Sequence, residues 1–261
     1  MRGMEIHPIR RIAYTNRTLD DLLRLKYPVK IQGFKAWKNL REKNRLIAKI
    51  RDMELDVYQM AGNNLDVSEK DGIRYESRGK PGNPSIQPTY MARTIIDHEN
   101  FFSEFSGIPF RCNVSSYFKA RVWVAAKGTR TPLHRDLAHN LLFLVTGDKH
   151  IRLAAPSAKR HVYPHSLFSR TPNFADLNLH RPDFRSHPRA KDLSIYETRL
   201  ASGELLYIPP LWWHDVSNTG RSTSMNFWFA PFGVYSLAAG LANFLNSTMQ
   251  IWTRRSNADK K

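Results

Sequence analysis

The chain has 261 residues, of which 41% are hydrophobic and 11% aromatic, so it can bury a large core and is not a disordered protein. Its single cysteine excludes an internal disulfide, and its first residues lack the apolar run of a secretion signal, so we expect a cytoplasmic location. The formal net charge of +17 predicts either a solvated basic surface or an anionic partner such as nucleic acid, a phosphorylated molecule or a membrane surface.

The N-terminal third predicts a mixture of helix and strand. Thr18 and Asp21 form a Thr-x-x-Asp pair that predicts a short capped helix. Residues 27–34 alternate like a strand, whereas residues 35–51 carry apolar side chains at helical spacing. Residues 62–88 are rich in glycine, proline, lysine and aspartate, which predicts a loop or hairpin.

From Tyr90 onward, short β-prone runs alternate with turns. The runs are ARVWVAAKG, NLLFLVTGDKHIRLAAP, GELLYIPP and TSMNFWFAP, and the Gly147–Asp148 pair predicts a tight turn within the second. This pattern predicts a mainly β protein with flanking helices and an antiparallel double-sheet jelly roll as its core.

We expect one domain over residues 1–261. Its predicted parts are N-terminal α/β elements (1–89), a jelly-roll core (90–231) with a Pro-, His- and Arg-rich insertion (157–194), and a C-terminal helix and tail (232–261). Residues 233–252 carry no charge and have an apolar stripe at helical spacing, but their polar residues argue against a membrane-spanning helix. Core packing, dimerisation and membrane-surface binding remain open for this stripe.

The motif TPLHRD at residues 131–136 predicts part of a metal site. Alternate side chains of a strand project from the same face, so His134 and Asp136 point together while Arg135 points away. A His-x-Asp triplet alone is common in proteins and has little specificity.

A second segment, GELLYIPPLWWHDV, supplies His214 directly after Trp212 and Trp213. Two imidazoles and one carboxylate form the facial triad of non-haem Fe(II) oxygenases, which leaves metal positions open. A catalytic zinc site could use the same ligands.

These motifs, together with the following NFWF segment, resemble the cupin-like JmjC oxygenases, and within them the asparaginyl hydroxylases that act on hypoxia-inducible factor. The resemblance is dense over about residues 129–231. It implies a double-stranded β-helix (cupin) core and an enzyme that uses Fe(II), 2-oxoglutarate as cosubstrate, and dioxygen.

The resemblance also implies roles for single residues. His134, Asp136 and His214 would bind the metal and act in catalysis. The residues that it implies for binding 2-oxoglutarate, or for lining its site near the iron, are Lys149, Thr131, Tyr90, Asn140 and Asn226. A buried cation such as Lys149 suits the distal carboxylate of 2-oxoglutarate, because a charge in a dry pocket needs a partner.

The substrate is less defined. The leading hypothesis is a hydroxylase acting on a protein or peptide side chain or on a small biosynthetic molecule. Alternatives are hydroxylation of a modified tRNA base or another polyanion, favoured by the charge of +17, and a cupin that binds a ligand without turnover. A homodimer through the C-terminal helix is a further expectation from the resemblance, and no nucleic-acid-binding motif is present.

Overall fold

A computed structural model describes residues 4–15, 21–34, 37, 39–82, 90–95, 101, 105 and 117–230 of the protein. These residues are mainly β, as predicted. The strands are β1 (Glu5–Pro8), β2 (Arg10–Ala13), β3 (Val29–Gln32), β4 (Leu55–Tyr58), β5 (Met60–Ala61), β6 (Asn64–Leu65), β7 (Val67–Ser68), β8 (Gly72–Ile73), β9 (Tyr75–Gly79), β10 (Tyr90–Ile95), β11 (Tyr117–Ala125), β12 (Arg130–Arg135), β13 (His139–Thr146), β14 (Asp148–Ala154), β15 (Ser194–Ala201), β16 (Leu205–Ile208), β17 (Trp213–Asn218) and β18 (Ser222–Ala230).

Two large sheets contain most of these strands. The first sheet has the order β1-β15-β14-β17-β12-β6-β5, and the second has the order β2-β3-β16-β13-β18-β11-β10-β4-β9. From β11 to β18 successive strands alternate between the sheets, except that β14 and β15 are neighbours in the first sheet. This is the strand order of a jelly roll, so the predicted core architecture is correct.

The core between the sheets is formed by buried apolar side chains from both. It contains Leu142 and Leu144 from β13, Ile208 from β16, and Ile151 and Val216 from β14 and β17. Successive side chains of a strand project to opposite faces, so Leu142 and Leu144 of β13 face this core, whereas Leu141 and Phe143 belong to a second apolar core on the other face of the sheet.

The outer face of the second sheet is covered by helix α1 (Leu40–Asp52), which buries Leu46 and Ile50. The sequence predicts a helix from residue 35. In the structure α1 begins at Leu40, because the side chain of Asn39 accepts a hydrogen bond from the backbone N–H of Glu42 and caps the helix. Residues 35, 36 and 38 lie outside the described part.

Residues 155–193, which include most of the segment interpreted as an insertion, connect β14 to β15. They include two 3-10 turns, Pro156–Arg160 and Pro188–Asp192. Their apolar residues form a core on the outer face of the first sheet with Leu133 and Trp213. The insertion thus packs against the outer faces of β12 and β17, the two strands that carry His134 and His214.

The turn between β13 and β14 is at Gly147, as predicted, with φ at +86°. The predicted strand at 27–34 is β3, and the predicted loop or hairpin at 62–88 contains the short strands β6 to β9 in its described part. The start of the capped helix at Thr18 and the C-terminal helix at 232–261 lie outside the described residues. No described helix is long and apolar enough to span a membrane.

Candidate metal centre

Three side chains meet at one end of the jelly roll. On antiparallel strands β12 and β17, His134 lies directly opposite His214, and their ring centroids are 4.0 Å apart. Asp136 follows the end of β12. One potential ligand atom from each of the three residues lies within 4.8 Å of the others. The sequence motifs that lie 80 residues apart therefore form one cluster.

Both imidazoles are held in the tautomer that a metal ligand needs. Nδ1 of His134 donates to the carbonyl oxygen of Pro132 at 2.8 Å, and Nδ1 of His214 donates to that of Trp212 at 3.0 Å. Because a carbonyl oxygen only accepts, each Nδ1 carries the hydrogen, so Nε2 is the nitrogen that each ring can offer to a metal. Burial, and secondly the neighbouring His214, lower the pKa of His134 to about 4, so this imidazole is neutral at pH 7.

The carboxylate of Asp136 is oriented by a hydrogen-bonded chain. Asn140 Nδ2 and Trp228 Nε1 donate to Asp136 Oδ2 at 2.9 and 2.8 Å. Asn226 Nδ2 in turn donates to Asn140 Oδ1 at 2.9 Å. Such contacts behind a ligand fix its position and tune the metal. The two asparagines, expected at the cosubstrate, hold the Asp136 carboxylate in the structure.

Trp228 is the residue of this group that the sequence motifs do not identify as part of the site. A signal for it existed. Trp228 and Asn226 are two positions apart on β18, so they project from the same face.

The neighbours of the triad differ between the two faces of β12. Arg135 points away from the triad, as the strand alternation predicts, and its guanidinium lies 4.7 Å from the Trp213 ring centroid on the outer face. Phe174 of the insertion forms a bridge with His134 and stacks on its ring at 5.2 Å. The insertion therefore contributes one wall of the candidate site.

The donor set fits a divalent iron of the facial-triad type. Two imidazole nitrogens and one carboxylate oxygen would hold the ion, and this donor set leaves coordination positions open to other ligands. Fe(II) and Zn(II) both accept this set, so the triad alone does not choose between them.

Lys149 is a cation in a dry part of the same barrel. Its side chain is 3% exposed, and Nζ donates to Asn218 Oδ1 at 2.7 Å. Among the described residues no carboxylate lies within ion-pair distance of it. Burial lowers the pKa of Lys149 to about 7. This ammonium group is thus suited to an anionic ligand.

Thr131 and Tyr90 are brought together by the two sheets. Their hydroxyl groups form a hydrogen bond between β12 and β10. Tyr90 is buried, and burial raises the pKa of its hydroxyl to about 12. Thr131 lies opposite Val216, which lies opposite Ile151, two positions from Lys149.

Because alternate positions share a face, these pairings put the side chains of Thr131, Lys149 and His214 on the inner face of the first sheet. The diacid-binding residues implied by the resemblance and the metal ligands therefore line the same interior.

The amino-acid sequence is similar to a known domain family and to several known proteins. The cupin-like domain profile matches residues 77–234. Lysine-specific demethylase JMJ30 of Arabidopsis thaliana is 35% identical over 148 residues, which are 56% of this chain and 34% of that protein. Jumonji C domain-containing protein 5 of Drosophila melanogaster is 34% identical over 146 residues, which are 52% of this chain and 36% of that protein.

A third relative is JmjC domain-containing protein D of Dictyostelium discoideum, which is 35% identical over 113 residues, or 43% of this chain and 25% of that protein. The chain thus spans only 25 to 36% of the length of these three relatives. The likenesses are to JmjC proteins, and they do not single out the asparaginyl hydroxylases that the motif order suggested.

Proposed function

This chain belongs to the cupin-like JmjC family, and from that membership we propose that it is an iron(II)- and 2-oxoglutarate-dependent oxygenase that hydroxylates a C–H bond of its substrate. The observation that carries the proposal is the convergence of His134, Asp136 and His214 within 4.8 Å, in the barrel interior that also contains the buried cation Lys149.

In this proposal His134, Asp136 and His214 hold iron(II). Lys149 binds the distal carboxylate of 2-oxoglutarate, with Thr131 and Tyr90 as hydroxyl partners. Lys149 favours iron over a hydrolytic zinc site, because a zinc-bound water needs no buried diacid anchor.

Bound iron(II), with 2-oxoglutarate and dioxygen, supplies the oxidising chemistry: the cosubstrate loses carbon dioxide and becomes succinate, and one oxygen atom enters the substrate C–H bond. The protein contributes geometry. Hydrogen bonds to Pro132 and Trp212 hold the two imidazoles, and those from Asn140 and Trp228 hold the carboxylate. Apolar side chains between the sheets exclude water around the anchored diacid.

The name of one relative described above, lysine-specific demethylase JMJ30, refers to lysine demethylation. Removal of an N-methyl group begins with hydroxylation of the methyl carbon, so this reaction and stable hydroxylation use the same site. A protein or peptide side chain and a small biosynthetic molecule remain our leading substrate classes. The net charge of +17 keeps a tRNA base as the second candidate.

A non-catalytic cupin is the contrasting hypothesis. It does not account for a triad with both imidazole tautomers fixed and a buried lysine lacking an acidic partner among the described residues. A cytoplasmic location and a homodimer through the C-terminal segment stay predictions.

The proposal is tested with purified protein, iron(II), 2-oxoglutarate and oxygen. We expect slow succinate formation without substrate, abolished in His134→Ala and retained in the control His161→Ala, whose side chain lies in the insertion. Lys149→Ala should mainly raise the 2-oxoglutarate concentration needed for half-maximal turnover. Failure of the iron-loaded wild type to bind 2-oxoglutarate in calorimetry, with no succinate formed, would support the non-catalytic cupin.

A further inference from the structure

Two further cationic side chains, Lys119 and Arg121, lie on the face of the second sheet that also carries Asn226 and Trp228. In the pairing of β11 with β18, Lys119 is directly opposite Trp228 and Arg121 is directly opposite Asn226. Side chains directly opposite on neighbouring strands project from the same face. Trp228 bonds Asp136 directly, and Asn226 reaches it through Asn140. Lys119 and Arg121 therefore project from the same face of β11 and β18 as the side chains that hold the metal ligand Asp136.

Arg121 is held by aromatic groups and has an unused donor. Its guanidinium carbon lies 4.6 Å from the Trp123 ring centroid and 5.7 Å from the Tyr58 ring centroid, and Nη2 donates to the Tyr58 hydroxyl. Its Nε is buried and has no hydrogen-bond partner among the residues that the structure describes. A buried donor without a partner is costly, which is a reason to look for a ligand.

Lys119 is the second cation of this pair. In the described part of the chain it makes no ion pair or hydrogen bond, and no carboxylate is within ion-pair distance of Arg121 either. Burial, and secondly the charge of Arg121, lower the pKa of Lys119, whereas Asp136 acts in the opposite direction. A metal ion on Asp136 would neutralise that carboxylate, which leaves a local excess of positive charge.

These two cations lie on the sheet opposite Lys149, the proposed cosubstrate anchor. Lys149 lies on β14 in the first sheet, bonded to Asn218, whereas Lys119 and Arg121 lie on β11 in the second sheet. If Lys149 binds the distal carboxylate of 2-oxoglutarate, Lys119 and Arg121 remain for a second anion beside the metal.

Building on the proposed function, we propose that the substrate carries an anionic group, a carboxylate or a phosphate, and that Lys119 and Arg121 bind it next to the metal centre. The pair would set the position of the oxidised C–H bond, because it fixes one end of the substrate relative to the triad. The basic protein surface would raise the local concentration of such substrates.

The test uses manganese(II) in place of iron, which prevents turnover and broadens the NMR signals of nuclei bound nearby. Protein saturated with manganese and 2-oxoglutarate is titrated separately with inorganic phosphate, followed by phosphorus NMR, and with carbon-13-labelled acetate, followed by carbon NMR. The two titrations distinguish a phosphate from a carboxylate group. The variants are Lys119→Met, Arg121→Met and both together. The control is Arg93→Gln, which alters an exposed arginine on neighbouring β10.

We expect metal-dependent broadening of at least one anion in the wild type, and binding about tenfold weaker in each single variant, as for loss of one charge-assisted hydrogen bond. Arg93→Gln should behave as the wild type, and every variant should bind 2-oxoglutarate with unchanged affinity. The single variants keep the test decisive if the double variant does not fold.

Anion binding that is equal in wild type and variants would overturn the inference. So would the absence of broadening by either anion in wild-type protein that binds 2-oxoglutarate, and the proposed function would survive both results. Wild-type protein that does not bind 2-oxoglutarate at all would instead overturn the proposed function, and this inference with it.

Discussion

The half-buried Trp228 and the buried Trp213 differ in what their N–H groups contact, and this difference gives a test of how the Asp136 carboxylate is held. Trp228 Nε1 donates to Asp136 Oδ2 at 2.8 Å, whereas Trp213 Nε1, on the outer face of β17, is buried and has no hydrogen-bond partner in the described part of the chain. Trp228→Phe should weaken metal binding about tenfold or more, because one hydrogen bond behind the ligand is lost. Trp213→Phe removes a similar group and should leave metal affinity unchanged. Metal titration of both variants checks this, and equal affinities would contradict the role of Trp228.

Lys149 gives a pH dependence with a defined sign. Burial lowers its pKa to about 7, and a bound dicarboxylate would raise it by stabilising the ammonium form. Above pH 7 the free protein must therefore take up a proton when 2-oxoglutarate binds. The affinity should be highest below pH 7 and should fall about tenfold per pH unit as the pH rises above 7, until it exceeds the pKa of the bound state.

Calorimetry of 2-oxoglutarate binding in buffers of different ionisation enthalpy measures this proton uptake. Lys149→Met should bind 2-oxoglutarate weakly and without proton uptake near pH 8. An unchanged uptake in the variant would assign the titration to another group.

Among the elements, the β13–β14 hairpin depends on Gly147 for two separate reasons. Its φ is +86°, and a Cβ there would lie 2.2 Å from the carbonyl oxygen of Arg221. Gly203, between β15 and β16, has a similar φ of +89°, but no described residue comes within 4 Å of an added Cβ. We expect Gly203→Ala to lower the free energy of unfolding by about 1 kcal/mol, from the backbone conformation alone.

Gly147→Ala should cost about 3 kcal/mol, since overpacking adds to the same backbone term. It should also weaken 2-oxoglutarate binding, because Lys149 is two residues along the hairpin. Urea unfolding of the two variants measures the difference, and equal costs would show that the contact with Arg221 relaxes freely.

At the scale of the whole molecule, the buried ion pair of Arg130 and Asp215 links β12 and β17, the strands that carry His134 and His214, to the insertion. Arg130 Nε on β12 donates to Asp215 Oδ1 on β17 at 2.7 Å, and the backbone N–H of Leu179 in the insertion donates to Asp215 Oδ2 at 3.2 Å. Asp215→Asn should lower the free energy of unfolding by about 3–5 kcal/mol, because it leaves the charge of Arg130 buried and unpaired.

The double variant Arg130→Met with Asp215→Leu should recover most of this loss, because no buried charge remains. Arg78→Gln, which breaks the more exposed pair of Arg78 and Asp56, should cost less than about 1 kcal/mol. Urea unfolding of the variants measures these changes in the free energy of unfolding. A small effect of Asp215→Asn would mean that water reaches Arg130.

Much of the mainly β fold and the three candidate metal ligands follow from local properties of the sequence. The period of two along a strand puts His134 and Asp136 on one face and Arg135 on the other, and a glycine at 147 allows the tight turn. His214 was predicted from the segment GELLYIPPLWWHDV, whereas the role of Lys149 came from the resemblance, whose motifs are also local. Helix α1 was predicted, but its first residue depended on the Asn39 cap.

Only the tertiary structure decided which side chains from distant strands meet. Trp228 and Asp136 are 92 residues apart, and Tyr90 and Thr131 are 41 residues apart, yet each pair is hydrogen bonded. The cationic pair Lys119 and Arg121 became visible only through the register of β11 with β18. Local periodicity determines the face from which a side chain projects, whereas strand pairing depends on contacts between segments far apart in the chain, which a single sequence does not specify.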